Sequence, residues 1–182
     1  RLQFWDADGR GRGEFRQIAV TDRDYLKFHT SEWLADPERR NMLHAGTGML
    51  VGAPVLSRIT DAWTLPVSRA ILDRQGIFAG VVVAAFPIDT FLDLYSGMRD
   101  APSDLLALWR NDRTMLVRVP FDEALQSRRF ANAPVWSHYP AARSGRYEAP
   151  TVTDGVTRLV MFRGLDLLPL VLVYAIERRT LA

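Results

Sequence analysis

Three β-rich runs dominate the first half of the chain and most constrain its fold. They span residues 48–60, 62–73 and 76–89, and the junctions between them have the residues of tight turns. A polar-started segment over 22–29 precedes them, with Tyr25, Phe28 and His29 spaced as on one face of a helix. This order predicts an antiparallel sheet covered by a helix and a loop, a shape that can hold a small molecule.

Composition narrows the functional classes. The 182 residues contain 23 basic and 21 acidic side chains and no cysteine, which excludes disulfides, thiolate metal sites and cysteine catalysis. The arginines are scattered among acids rather than forming a basic stripe, so nucleic-acid binding is weakly supported. The longest apolar stretch, over 165–176, is interrupted by Asp166 and Pro169 and is too short to cross a bilayer.

The local patterns predict further elements. Residues 1–5 and 14–20 read as two strands of a hairpin, and 89–97 reads as a short helix that leaves the sheet. A brief helical segment is expected over 121–129 and a loop over 132–144. The chain begins inside a strand without an initiator methionine, so we expect it to be a piece of a larger protein.

An approximate internal duplication divides the chain in two. The pattern around Trp5, Leu2 to Gly9, is echoed around Trp109 by Leu106 to Arg113. Such self-similarity indicates two related units, which we place at residues 1–98 and 99–182. The second is expected to be the smaller and less pocketed copy.

Five segments together resemble a known family. They are DRDYLKFH (22–29), VGAPVLSR (51–58), LPVSRAILDRQGIFAGVVVAAF (65–86), LLALWRNDRTMLVRVP (105–120) and TDGVTRLVMFRGL (153–165). In order and spacing they resemble the extracytoplasmic double Cache (PAS-like) sensor module found ahead of GGDEF-type diguanylate cyclases and some histidine kinases. The resemblance implies an α/β (α+β) fold of two tandem Cache units, each a mainly antiparallel sheet flanked by helices. The family's usual long N-terminal helix is missing from this chain.

The resemblance also implies a function. It indicates a periplasmic small-molecule sensor domain of a membrane-anchored inner-membrane receptor in bacteria, controlling a diguanylate cyclase. Residues 1–98 would be the membrane-distal unit with the ligand pocket, and 99–182 the membrane-proximal one. The domain itself would not be an enzyme and would need no cofactor. The alternatives are a ligand-free structural or dimerisation module, or the sensor of a histidine kinase or chemoreceptor, and a homodimer is an open alternative to a monomer.

Arg69 is the sharpest single candidate for ligand binding. Strand alternation places it on one face with Trp63, Leu65, Val67 and Ile71. An arginine on an apolar face needs an anionic partner, because an unpaired buried charge is costly. The functional interpretation is a clamp on a carboxylate or phosphate. The alternatives are an internal ion pair with an aspartate or a side chain that reaches solvent.

The helix over 22–29 would supply the roof of the pocket through its aromatic and histidine side chains, or would simply pack against the sheet. The predicted ligand-binding residues are Tyr25, Phe28, His29, Arg58, Trp63, Arg69 and Asp89. We predict no catalytic residue and no metal site, because His29, His44 and His138 lack metal-ligand spacing.

The branch of the family that recognises α-amino acids carries a Tyr and an Asp after the proline of the first β-run, and another Asp at the end of the last strand. The matching positions here are Val55, Ser57 and Ala85. The carboxylates that would hold an ammonium group are missing. A small anion or carboxylate held by Arg58 or Arg69 is therefore the expected ligand.

Overall fold

A computed structural model describes residues 2–6, 11–14, 49–57 and 61–177. Within these ranges the chain forms eleven strands, one α-helix and two short 3-10 helices. In chain order they are β1 (Leu2–Asp6), β2 (Gly11–Glu14), β3 (Met49–Val51), β4 (Val55–Leu56), β5 (Trp63–Leu72), β6 (Phe78–Pro87), α1 (Ile88–Ser96), β7 (Leu105–Arg110), β8 (Met115–Val119), the 3-10 helices Glu123–Leu125 and Pro134–Ser137, β9 (Ser144–Pro150), β10 (Thr157–Gly164) and β11 (Leu170–Glu177).

The three β-rich runs form the expected sheet. Its strand order is β2-β1-β6-β5-β3, with β4 pairing β5, and β5 runs antiparallel to both β3 and β4. The turn at residues 73–77 forms as predicted: the Asp73 carboxylate accepts hydrogen bonds from the backbone N–H groups of Gln75 and Ile77 at 2.9 and 2.8 Å. Gly76 takes the left-handed conformation (φ +80°) that this turn requires.

Strand β1 also forms the predicted hairpin. It pairs antiparallel with β2, so the hairpin at the start of the chain is confirmed. The described returning strand is Gly11–Glu14, and residues 15–20 of the predicted strand lie outside the described residues. The short helix after the sheet is confirmed as well: α1 begins at Ile88, directly after Pro87, and Gly97 follows its last residue.

The second sheet has the order β8-β7-β11-β10-β9, with every neighbouring pair antiparallel. Its strands differ in how they are buried. All five residues of β8 are buried, whereas β10 alternates between exposed and buried positions and β9 is mostly exposed. Alternation of this kind marks a strand with one face on the core and one in water.

The prediction of a helix over 121–129 is wrong except for one 3-10 turn. The 3-10 helix Glu123–Leu125 is capped by Asp122, whose carboxylate accepts from the Ala124 N–H at 3.0 Å. Gln126 is already extended and Ser127 has a positive φ of 59°, so the chain cannot continue the helix. The predicted loop over 132–144 contains the second 3-10 helix.

The chain divides into two compact units. The first comprises residues 1–52 and 65–86, and the second comprises 53–64 and 87–182. Two hydrogen bonds tie the segment 53–64 to the second unit: Ser127 Oγ donates to the Pro54 carbonyl, and Trp63 Nε1 donates to Glu123 Oε1 at 3.1 Å. The boundary at residue 98 between tandem Cache units stays a prediction.

An ion-pair cluster holds the loop between β9 and β10. Arg158, only 4% exposed, lies 2.8 Å from Asp154 Oδ1 and also donates to Thr151 Oγ1 at 2.7 Å. Partial burial acts to raise the pKa of Asp154. Hydrogen bonds from Arg158, Thr151 and the Val156 N–H outweigh it and lower the pKa to about 2. Asp154 is therefore fully ionised at neutral pH.

Asp154→Asn should show how much this charge contributes to the free energy of unfolding. The folded-state pKa of about 2 lies below the ordinary value of 3.8, so the carboxylate stabilises the fold above about pH 4, and this stabilisation is lost as the pH falls towards 2. Because the side chain is 31% exposed, solvent screening reduces the effect to about 1 kcal/mol. Urea unfolding at pH 7 and pH 3 measures it. The variant should be less stable at pH 7, and an equal difference at both pH values would contradict the ion-pair account.

Gly164 is required by close packing rather than by backbone conformation. A Cβ there would lie 2.6 Å from Cε2 of Tyr139, a side chain buried in the core of this unit. Gly164→Ala should therefore cost about 1–3 kcal/mol, the usual range for overpacking. Gly97→Ala is the matched control, because its Cβ would meet nothing closer than 3.6 Å and its φ is −71°. Chemical denaturation compares the two, and equal stability of both variants would contradict the packing argument.

Candidate functional site

One face of the five-stranded sheet carries the side chains of a cavity. Strand alternation puts Ala107 on the same face as its neighbours two residues away along β7. The register then extends this face across the sheet, because Tyr147 pairs with Val160, Val160 with Ala175, and Ala175 with Leu105. Four strands thus contribute one row of side chains to the same surface.

The cavity lies over this face in the second compact unit and has a volume of about 50 Å³. Its other walls come from residues 133–135, at the start of the second 3-10 helix, and from residues 150–153, at the end of β9 and in the loop after it. Space is available because the sheet residues at its centre, Ala107 and Ala175, have only a methyl side chain. The lining is almost entirely apolar.

A bulge brings Arg118 into this lining. Ala107 pairs with Arg118 and Trp109 pairs with Met115, with a register shift between the two pairs. The extra residue in β8 lets Met115 and Arg118, three positions apart, face the same cavity, whereas a regular strand would place them on opposite faces. Arg118 is the one charged residue among those that line it.

Arg118 is buried but incompletely paired. It is 8% exposed; one terminal nitrogen donates to the Pro120 carbonyl, and the other lies 3.8 Å from Asp154 Oδ2. Its Nε has no hydrogen-bond partner among the described residues. Burial lowers the pKa of this guanidinium, Asp154 and Asp122 act to raise it, and the cations of Arg158 and Arg99 lower it further. Asp154 already pairs with Arg158 and compensates Arg118 only weakly.

Three buried polar atoms on the cavity-lining residues lack partners within the described part of the chain. They are Arg118 Nε, Trp109 Nε1 and Thr153 Oγ1. All three can donate a hydrogen bond. The other unpartnered atoms, Arg99 Nε and both amide atoms of Gln126, belong to residues outside the lining. Unmatched buried donors are costly, and these three belong to side chains that line one cavity.

Tyr147 adds no charge to the cavity. Burial raises the pKa of its phenol to about 12, and its ring stacks on His138 with 4.6 Å between centroids. The phenol is therefore neutral at physiological pH. No group of three or more His, Cys, Asp or Glu side chains in the described residues could hold a metal ion. The electrostatics of the cavity are thus governed by Arg118 and the nearby Asp154–Arg158 pair.

Only three of the seven predicted ligand-binding residues lie in the part of the chain that the structure describes. Tyr25, Phe28, His29 and Arg58 lie outside the described residues. Trp63, Arg69 and Asp89 lie within them.

Trp63 is half-buried and bonded to Glu123, as described above, and Asp89 is exposed in the first turn of α1. Arg69 is exposed, which departs from the buried apolar face expected for it. The reason is that the opposite face of β5 is the more completely buried one, through Thr64, Pro66 and Ser68. A ligand role for these residues stays a prediction.

The sequence reasoning did not single out Arg118. The signal was present, because Arg118 interrupts the apolar strand Met115–Val119 just as Arg69 interrupts β5. It was masked by simple alternation, which places Arg118 opposite Met115 and Val117. Only the bulge puts Arg118 and Met115 on a shared face.

Comparisons with known proteins point to sensor domains. Residues 88–175 match the family model described as "dCache_1_like: Histidine kinase sensor domain". A comparison with curated protein sequences finds no significant match. Within the described residues, no helix is long and apolar enough to cross a membrane.

Solved structures resemble nearly the whole chain. The extracellular domain of the putative histidine kinase rpHK1S-Z16 is 25% identical with a TM-score of 0.70, covering 97% of this chain and 70% of that one. The ligand-binding domain of the Pseudomonas aeruginosa PAO1 amino acid chemoreceptor PctB, in complex with L-Gln, is 16% identical with a TM-score of 0.62 (97% and 67% covered). That of the Pseudomonas fluorescens chemoreceptor CtaA, in complex with L-isoleucine, is 19% identical with a TM-score of 0.56 (97% and 68% covered).

These likenesses confirm the predicted fold class. The chain has the mostly antiparallel Cache, PAS-like fold, and the proteins it resembles are ligand-binding sensor domains rather than enzymes. Residues 88–175 are thus similar to the dCache_1-like histidine kinase sensor domains, and nearly the whole chain is similar in fold to the extracellular domain of rpHK1S-Z16.

Proposed function

We propose that this chain is the extracytoplasmic small-molecule sensor domain of a membrane-anchored bacterial signalling receptor. The observation that carries the proposal is an apolar cavity with a buried arginine, inside the segment that matches histidine kinase sensor domains. A concave apolar site with a few convergent polar groups is the usual form of a small-molecule site. This chain would bind the ligand, and another domain of the receptor would produce the intracellular signal.

Two outputs are compatible with this input. The sequence resemblance favours a diguanylate cyclase, and the matched family and the likeness to rpHK1S-Z16 favour a histidine kinase. In either case the ligand must bind one conformation of the sensor more tightly than the other, because only differential affinity shifts an equilibrium. The size of that difference limits the strength of the signal.

We propose a small carboxylate as the ligand class. Structures of PctB and CtaA contain L-Gln and L-isoleucine, and PctC was solved in complex with GABA. All of these carry a carboxylate. The positions Val55, Ser57 and Ala85 lack the side chains that would hold an α-ammonium group, which argues for an anion without one. The proposed site lies in residues 1–98, the predicted first Cache unit, and consists of Tyr25, Phe28, His29, Arg58, Trp63, Arg69 and Asp89.

The competing function is a ligand-free module that spaces or pairs output domains. It has the same fold and makes a different prediction, because a structural module gains no stability from small anions. Arg69 separates the two: it would be needed for ligand binding under the sensor proposal and only for stability under the structural one.

A thermal-shift panel of small carboxylates and amino acids tests the sensor proposal. A ligand at about one hundred times its Kd stabilises the fold by about 2.7 kcal/mol, which raises Tm by roughly 5–10 °C in a domain of this size. Arg69→Ala should abolish the shift given by the ligand of the first unit, and Arg74→Ala, an exposed arginine in the nearby turn, should retain it. A panel without any stabilising compound, or a shift unchanged in Arg69→Ala, would count against this site.

A further inference from the structure

We propose that the cavity of the second compact unit is a binding site of its own, and that it takes a short aliphatic monocarboxylate whose carboxylate is held by Arg118. None of the residues proposed as a ligand site within 1–98 lines this cavity. The inference uses only the geometry around Arg118 and stands whether or not the first unit binds a ligand.

The local charge balance favours an anion. Arg118 and Arg158 are 8% and 4% exposed, and Asp154 lies 2.8 Å from Arg158 and 3.8 Å from Arg118, so its closer ion pair is the one with Arg158. Around Arg118 the charges of Asp154 and Asp122 are set against those of Arg158 and Arg99, which leaves the charge of Arg118 itself in excess. A carboxylate bound beside Arg118 would compensate this buried positive charge.

The unpartnered donors match the acceptor capacity of a carboxylate. A carboxylate has two oxygens with about four lone-pair sites and no hydrogen to donate. The cavity-lining residues offer Arg118 Nε, Trp109 Nε1 and Thr153 Oγ1, each buried and without a partner in the described structure. Hydrogen bonds from a guanidinium to a carboxylate are among the strong ones in proteins. A carboxylate bound beside Arg118 would bring an acceptor to the residues that carry these donors.

The remaining walls determine the length of the aliphatic chain that a bound carboxylate can have. The lining around the sheet face is formed by small apolar side chains, among them Ala107, Val160, Val173 and Ala175. A volume of about 50 Å³ is room for roughly three or four water molecules. That suits a chain of about two to four carbons, with a methyl or ethyl end against the alanines.

The same lining disfavours α-amino acids. It contains no Asp or Glu side chain, and the nearest carboxylate, Asp154, is already bonded to Arg158, Thr151 and Val156. An ammonium group would be buried without a partner, which is costly. Phosphate fits poorly as well, because its additional charge would face apolar walls. The expected class is acetate, propionate or butyrate rather than an amino acid.

Binding at this site would link the two edges of the five-stranded sheet. Arg118 belongs to β8 and Thr153 follows β9, and these are the two edge strands of the order β8-β7-β11-β10-β9. At present the loose contact between Arg118 and Asp154 spans this distance. A carboxylate held by Arg118 and Thr153 would add a direct bridge between the edge strands.

Isothermal titration of the full chain with acetate, propionate and butyrate tests the proposal. We expect saturable binding of at least one acid and none of propionamide, which has similar size without the charge. Arg118→Gln should weaken binding by about tenfold or more, the loss expected for a charged hydrogen bond. Arg163→Gln, on the exposed side of β10, is the matched control and should bind as the unchanged chain does.

Thr153→Val keeps the test decisive if Arg118→Gln fails to fold. It is close in shape, removes only the unpartnered hydroxyl, and should weaken binding several-fold while leaving Tm without ligand nearly unchanged. Arg69→Ala should bind the acid normally, which separates this site from the one proposed in the first unit. Absence of saturation with all three acids, equal binding of propionamide, or undiminished binding by both Arg118→Gln and Thr153→Val would overturn the inference.

Discussion

The antiparallel register of the five-stranded sheet is the constraint on which the cavity depends. It brings Tyr147, Val160, Ala175 and Leu105 into one row and places Ala107 opposite Arg118 in the next. A slip of one residue in any strand would turn its side chains to the other face. The bulge in β8 is part of this register, because without it Met115 and Arg118 could not face the same space.

The electrostatics of the second unit follow from that geometry. The sheet buries two arginines near a loop that supplies one aspartate, and hydrogen bonds hold that aspartate ionised with a pKa of about 2. Asp154 lies closer to Arg158 than to Arg118. The outcome is a buried cation beside an apolar cavity, an arrangement that is costly in an isolated fold and useful in one that receives an anion.

The chain shares its fold with ligand-binding domains of chemoreceptors. Comparable domains of PctB and CtaA were solved with amino acids bound. Similarity at this level establishes the architecture, and the chemistry must be argued from the residues of this chain. Those residues offer an arginine and uncharged donors for an anion, and the cavity lining offers no carboxylate for an ammonium group. These residues are the reason that we propose a carboxylate without an ammonium group as the ligand of this cavity.

Local patterns in the sequence predicted the two long strands β5 and β6, their turn at Asp73 and the helix after them, because alternation, turn residues and a helix that begins after Pro87 and ends before Gly97 are local features. The fold class was predicted from the family resemblance of five segments taken together. The sequence by itself could not determine the helical turn near 123, because the extended Gln126 and left-handed Ser127 depend on the surrounding fold. Arg69 and Arg118 look alike in sequence, as single arginines within apolar strands. Only the tertiary structure decided that Arg69 is exposed and that Arg118 is buried, because burial depends on which strands pair, where a bulge falls, and which loop covers the face.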